Sequence, residues 1–119
     1  MPSVDYALRP ERVLKANCPS RTVLDHVTSR WGVLVLVALT QGPLRWSELR
    51  RTIQGVSEKM LASTLRTLEL DGLVAREVAP TTPPRVDYSL TPLGLSLNEQ
   101  LLPLVSWVSA HADEIMNQE

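Results

Sequence analysis

Gly55 to Leu73 reads GVSEKMLASTLRTLELDGL, and its two faces are chemically different. Met60, Leu61, Leu65 and Leu68 recur at the three-and-four spacing that lays apolar groups along one side of a 3.6-residue period. Ser57 can cap the first turn, Glu58 suits the positive end of the helix dipole, and Val56 can staple onto Leu61. Met60 stands where a capping box would place Glu or Gln. Gly72 can take the left-handed position after the last turn, with Leu73 folding back on Leu68. These signals predict a helix from Glu58 to about Leu70. Its other side presents Ser57, Lys59, Ala62, Ser63, Arg66 and Thr67, which are basic, hydroxylic or small and include no acid.

The neighbouring segments give that face a setting. Upstream, Trp46, Leu49 and Ile53 share one side of a short helix, and Gln54-Gly55-Val56 turns the chain into the next. Two helices joined by a short glycine-containing turn form a helix-turn-helix. Further upstream, Trp31 to Leu39 is an uninterrupted apolar run that fits a buried strand or a buried helix by periodicity; the helix is preferred because the helix-turn-helix pair comes directly after it. Cys18-Pro19 begins another helix carrying Val23, Leu24 and Val27, with Pro19 at its first position. Downstream, Leu73 to Ala79 and Arg85 to Leu90 alternate as two strands, and Pro80 to Pro84 holds a loop between them. Thr91-Pro92 then opens a final helix whose stripe is Leu97, Leu101, Leu104, Val105, Val108, Ala112 and Ile115, with Trp107 beside it. Pro103 inside that pattern predicts a kink near Glu99 to Leu102. So apolar a helix exceeds the partner surface of its own small domain, and a second subunit is the simplest cover.

Composition narrows the function class. The 119 residues are 44% hydrophobic and 21% charged, the balance of an ordinary soluble domain. The run from Trp31 to Leu39 is far short of the ~20 residues that span a bilayer, and the amino terminus is too polar for a signal peptide, so a cytosolic protein with no membrane partner is expected. The single cysteine, Cys18, excludes an intramolecular disulfide framework. The net charge of −1 is unevenly spread: residues 1 to 42 carry +2, residues 43 to 91 carry +1, and residues 92 to 119 carry −4. A polyanion would therefore meet the chain upstream of its last helix. His26 and His111 stand at no chelating spacing with Cys18, so neither a metal nor another cofactor is expected, and no nucleophile-base pair suggests an enzyme.

In order and spacing, these motifs resemble the HxlR family of bacterial winged helix-turn-helix transcription regulators. The resemblance runs from Cys18 to Trp107. It is carried by Cys18-Pro19, Arg30-Trp31 with its aliphatic run, Gly42-Pro-Leu-Arg45 with Ser47-Glu-Leu49, and Val56-Ser57-Glu-Lys59-Met60-Leu61. Leu65-Arg66-Thr-Leu68-Glu69, Asp71-Gly72-Leu73-Val74, Pro84 to Thr91, Gly94 and Trp107 continue it. Trp46 replaces the family's usual Phe, and Ser29-Arg30 replaces its usual Gly-Lys. The resemblance implies a mainly α fold with a small β-hairpin, a winged helix-turn-helix dimerising through its N- and C-terminal helices. The expected organisation is an N-terminal arm over residues 1–17, a DNA-binding domain over 18–96 and a dimerisation helix over 97–119.

Such a dimer would take double-stranded DNA as its partner. Its reading helices would meet successive major grooves about 34 to 36 Å apart, hence a pseudo-palindromic operator. Ser57, Lys59, Ser63, Thr64 and Arg66 are the candidate contacts on the reading helix, with Arg66 suited to guanine and the hydroxyls to adaptable contacts. Arg50 and Arg51 on the preceding helix, and Arg76 and Arg85 on the hairpin, are candidates for phosphate. A solvated helix face is the plainer reading of Lys59, Ser63 and Arg66 in isolation; the helix-turn-helix and hairpin around them favour DNA. A winged-helix module that binds protein instead of DNA is the alternative. Cys18 reads plainly as an inert thiol. Against that, its place before a Pro-initiated helix, with Arg21 one turn on, would lower its pKa, and some members of the family that this sequence resembles use a cysteine here to sense oxidants or electrophiles. A small-molecule effector is a further candidate partner; Trp31, Trp46 and Trp107 could line its pocket, but read more simply as core.

Overall fold

The computed structural model describes residues 8–118, so the first part of the expected N-terminal arm lies outside the described residues. The chain forms α1 (Pro10–Val13), α2 (Pro19–Val27), α3 (Arg30–Ala38) with a 3-10 turn over Leu39–Gln41, β1 (Leu44–Arg45), α4 (Trp46–Thr52), α5 (Glu58–Leu70), β2 (Val74–Ala79), β3 (Arg85–Leu90) and α6 (Pro92–Met116). It is a mainly helical fold with one small antiparallel sheet.

The boundaries of α5 follow from local chemistry. The Ser57 hydroxyl accepts from the Met60 N–H at 3.1 Å. At the other end the Leu73 N–H reaches the Leu68 carbonyl at 3.0 Å, the Gly72 N–H reaches the Glu69 carbonyl at 3.0 Å, and Gly72 has φ +77°. This is the paired Schellman closure, which requires a residue at ease in the left-handed region. Leu61, Leu65 and Leu68 are buried, with Val56 and Leu73 joining them from either side. Met60 departs from the expected burying face, being 43% exposed. It sits about 100° around the helix from Leu61, beyond the width of the buried stripe.

The aliphatic run Trp31 to Leu39 is helical, as preferred, and Val35, Leu36 and Leu39 are fully enclosed in the core. Ser29 fixes its start by accepting from the Gly32 N–H at 3.1 Å while its own hydroxyl donates to the His26 carbonyl at 2.9 Å. The Arg30 guanidinium lies 5.5 Å from the Trp31 ring centroid, within cation-π reach. The departure at Ser29-Arg30 is thus a cap and a packing contact.

The sheet has the order β1-β3-β2. The hairpin was legible, but β1 was not: Leu44 and Arg45 pair with Tyr88 and Asp87, and two residues are too few to show alternation. Its effect is to anchor the start of α4 to the hairpin.

Helix α6 runs unbroken from Pro92 to Met116 and holds Pro103 within it. The expected domain boundary at 96/97 falls inside this one helix, so the winged module and the long helix share a backbone. Its root is tightly seated. The Thr91 hydroxyl accepts from the Gly94 N–H at 3.1 Å and donates to the Gly72 carbonyl at 2.6 Å, the Thr91 N–H donates to the Leu73 carbonyl at 3.1 Å, and a Cβ at Gly94 would collide with the Leu73 carbonyl oxygen. Buried Asn98 donates to the Leu36 carbonyl at 2.9 Å, tying the same helix to α3. Beyond Leu101 the stripe loses its cover: Leu104, Trp107, Val108 and Ile115 are about half exposed, as are Val23 and Leu24 on α2. The reading of all three tryptophans as core holds for Trp31 and Trp46, which pack against it, and not for Trp107, which is exposed and stacks on His111 with ring centroids 4.3 Å apart. No single helix among the described residues is long and apolar enough to cross a membrane.

Candidate nucleic-acid interface

Helix α5 is the second helix of the pair formed with α4, and its burial through Leu61, Leu65 and Leu68 turns the opposite side outward. Lys59, Ser63, Arg66 and Leu70 succeed one another along that side at four-and-three spacing, and all four are exposed. Lys59 and Arg66 have no ion-pair partner among the described residues. Two cationic donors and a hydroxyl therefore stand on a face without an acid. Leu70, 80% exposed, was not anticipated; only its place in this line marks it, and an apolar group there suits a thymine methyl.

The remaining candidates divide. Ser57 is exposed, but its oxygen serves the helix cap. Thr64 is only partly exposed and, with Ser63, Thr67, Asp25, His26 and Ser29, lines a cleft of about 180 Å³ between α2 and α5, so it lies at the edge of the outward face. Behind this cleft His26 Nδ1 meets Asp71 Oδ2 at 2.8 Å, linking α2 to the end of α5. Arg50 lies 3.0 Å from Glu58 and bridges α4 to the first turn of α5, which fixes the angle of the pair. Arg51 is exposed and has no such partner among the described residues.

On the wing, register separates the two arginines. Arg76 pairs with Tyr88 and Arg85 with Ala79; since side chains directly opposite share a face and alternate along a strand, Arg76 and Arg85 point to opposite faces of the sheet. Arg85, with Nε 3.2 Å from Asp87, shares its face with Arg45, whose strand partner is Asp87. Arg76 lies on the side of Tyr88, at the outer strand. Arg45 was not among the sequence candidates. Its Nε is 3.6 Å from Glu48, and its backbone N–H donates to Glu48 Oε1 at 2.9 Å, closing the first turn of α4. That backbone hydrogen bond, aided by the nearby Arg45 charge, holds the Glu48 carboxyl below the usual glutamate range.

Cys18 is the residue before Pro19, at the N-cap of α2, and is partly exposed. The neutral thiol makes no capping hydrogen bond, but its pKa is lowered. The Ser20 hydroxyl is the largest cause, followed by the Ser20 backbone N–H, with the Arg21 N–H and the Arg12 charge contributing less. The expected effect of the Arg21 side chain is not the cause: its guanidinium is turned to the Leu14 carbonyl at 3.4 Å, and the amide groups of the helix start act in its place. Among the described residues no three His, Cys, Asp or Glu side chains gather in a way that could hold a metal.

A three-helix core, a paired α4 and α5, and a hairpin directly after the second of them define a winged helix-turn-helix. Residues 26–116 match the model of the HxlR-like helix-turn-helix family, and the chain belongs to that family, whose fold and motifs make it a transcriptional regulator of the helix-turn-helix type. It is 50% identical over 114 residues to the HTH-type transcriptional regulator YtfH of Escherichia coli, covering 96% of this chain and 90% of that protein. A solved structure of ytfH from Salmonella typhimurium superposes with a TM-score of 0.82 at 50% identity, covering 87% of this chain and 93% of that one. The redox regulator HypR in its oxidized form superposes with a TM-score of 0.73 at 35% identity, over 78% and 96% of the two chains.

Proposed function

We propose that the protein is a homodimeric, sequence-specific DNA-binding regulator of the cytosol whose operator is pseudo-palindromic, with Cys18 as an oxidant- or electrophile-responsive group. The observation that carries the DNA reading is the line of Lys59, Ser63 and Arg66, unpaired by acids and borne on the outward side of the second helix of the pair. Arg66 is the base-reading residue, Ser63 an adaptable partner, and Lys59, Arg51 and the wing arginines hold phosphate. Likeness to a redox regulator and the lowered thiol pKa support the role of Cys18.

The test is a binding titration on operator DNA selected from the organism's own genome, at several salt concentrations. Affinity should fall steeply with salt, with a log-log slope of about −0.9 per phosphate neutralised. Arg66→Ala should weaken operator binding by ~1 to 3 kcal/mol and relax specificity at one base pair, whereas Lys59→Ala should weaken all sequences alike. A protein-interaction module without DNA binding would show neither a salt-dependent shift nor a difference between the two variants.

A further inference from the structure

Two hollows meet at the start of α4. One, of about 540 Å³, is lined by Arg45, Trp46, Ser47 and the wing segment from Thr81 to Val86, including Arg85. The other, of about 440 Å³, is lined by Trp46, Ser47, Arg50, Arg51 and Glu58. They share Trp46 and Ser47, so one groove runs from the wing loop past the indole to the first turn of α5. Its walls carry Arg45, Arg85, Arg50 and Arg51 against the single acid Glu58.

The groove's cations keep donors to spare. Arg45 and Arg85 meet their acids, Glu48 and Asp87, through Nε, and neither acid lines the groove. A guanidinium has four further N–H donors on its terminal nitrogens, the pair of edges that match a phosphate. Trp46 adds a neutral donor. Its ring packs against the core, while Nε1–H has no hydrogen-bond partner among the described residues and is not one of the enclosed unpaired atoms, of which Asn98 Oδ1 is the only one found there. An indole N–H half set into a core usually finds a partner; this one, on a residue that lines both hollows, is reached by solvent and has no acceptor within the described residues.

We infer that this groove seats one sugar-phosphate strand of the bound DNA, with the Trp46 indole N–H and the Arg45 guanidinium donating to phosphate oxygens beside Arg85. The inference rests on the DNA reading above and adds two positioning contacts to it. The phosphodiester backbone is the occupant that the chemistry selects: four arginines along the lining, a neutral donor on the residue the two hollows share, and an open rather than enclosed form that suits a continuous chain better than a small molecule.

The two contacts have different signatures. Trp46→Phe keeps an aromatic ring and removes the N–H. It should weaken binding about 3- to 10-fold on operator and unrelated DNA alike and leave the salt slope unchanged, because a neutral hydrogen bond releases no counterion. Arg45→Gln should reduce the salt slope by about one. A repacking effect is separated by scanning the operator with single methylphosphonates. At one phosphate per half-site the substitution should weaken the parent protein severalfold more than it weakens Trp46→Phe, which has already lost the indole contact there. Equal losses for parent and Trp46→Phe at every phosphate, or unaltered affinity in Trp46→Phe, would overturn the assignment while parent binding to the operator leaves the DNA reading standing. Parent protein that fails to bind DNA would instead remove both.

Discussion

The Ser20 hydroxyl and the amide groups of Ser20 and Arg21 favour the thiolate of Cys18 over the thiol, and the sign of the effect is measurable. A lowered pKa means that the reactive anion persists to lower pH than for an ordinary cysteine. The rate of alkylation by iodoacetamide should therefore reach half its maximum below the midpoint of an unstructured cysteine peptide, and Ser20→Ala should move that midpoint upward. If the thiol is the sensing group, oxidant should change the operator affinity of the parent and leave that of Cys18→Ser unmoved; an equal response from both would end the sensing role. At this scale the sequence disclosed the thiol's position at a helix start but not the rotamer of Arg21, which is set by the Leu14 carbonyl in the preceding turn.

Elements were legible in proportion to how locally their ends are specified. Helix α5 is bounded by a hydroxyl cap and a glycine stop, both within hydrogen-bond reach of its own termini, so its limits could be read from Gly55 to Leu73 alone. The stop also yields a clean prediction. Nothing lies within 4 Å of a Cβ built on Gly72, whose φ is +77°, so Gly72→Ala meets no steric clash and costs only the left-handed conformation. Urea unfolding should show a loss of about 1 to 2 kcal/mol with an unchanged m-value. Strand β1 was invisible because its two residues owe their conformation to pairing with β3, far along the chain. The wing arginines illustrate the same limit. Arg76 and Arg85 looked equivalent along the chain, yet opposite faces follow only from the register, which no local signal sets. Met60 failed for a different reason: a three-and-four pattern marks a stripe but not its width.

At the scale of the whole molecule, apolar surface is left where a second copy would cover it. Val23 and Leu24 on α2 and Leu104, Trp107, Val108 and Ile115 on α6 are each about half exposed, an unusual outlay of large apolar groups for a chain that works alone. In sedimentation at micromolar concentration the parent should be a dimer, whereas Trp107→Glu should be monomeric, fold with an unaltered helical spectrum, and bind operator far more weakly. A monomeric parent, or a dimeric Trp107→Glu, would place the interface elsewhere. The outline of the candidate face on α5 was available from the sequence because HTH motifs are local, whereas the groove at Trp46 and the face of each arginine required the assembled sheet.

The seating of α6 has a mechanical meaning. Thr91 is bonded to the Gly72 and Leu73 carbonyls, and Gly94 leaves no room for a side chain above Leu73; the hinge end of the long helix and the terminus of α5 are effectively one joint. In a dimer held through α6, a change of angle between the two long helices would have to strain these bonds to be absorbed at that joint. In the proposed dimer it would swing each α5, so a disturbance at the seam between subunits would become a change of stride between the two proposed reading helices, measured against the fixed pitch of the DNA.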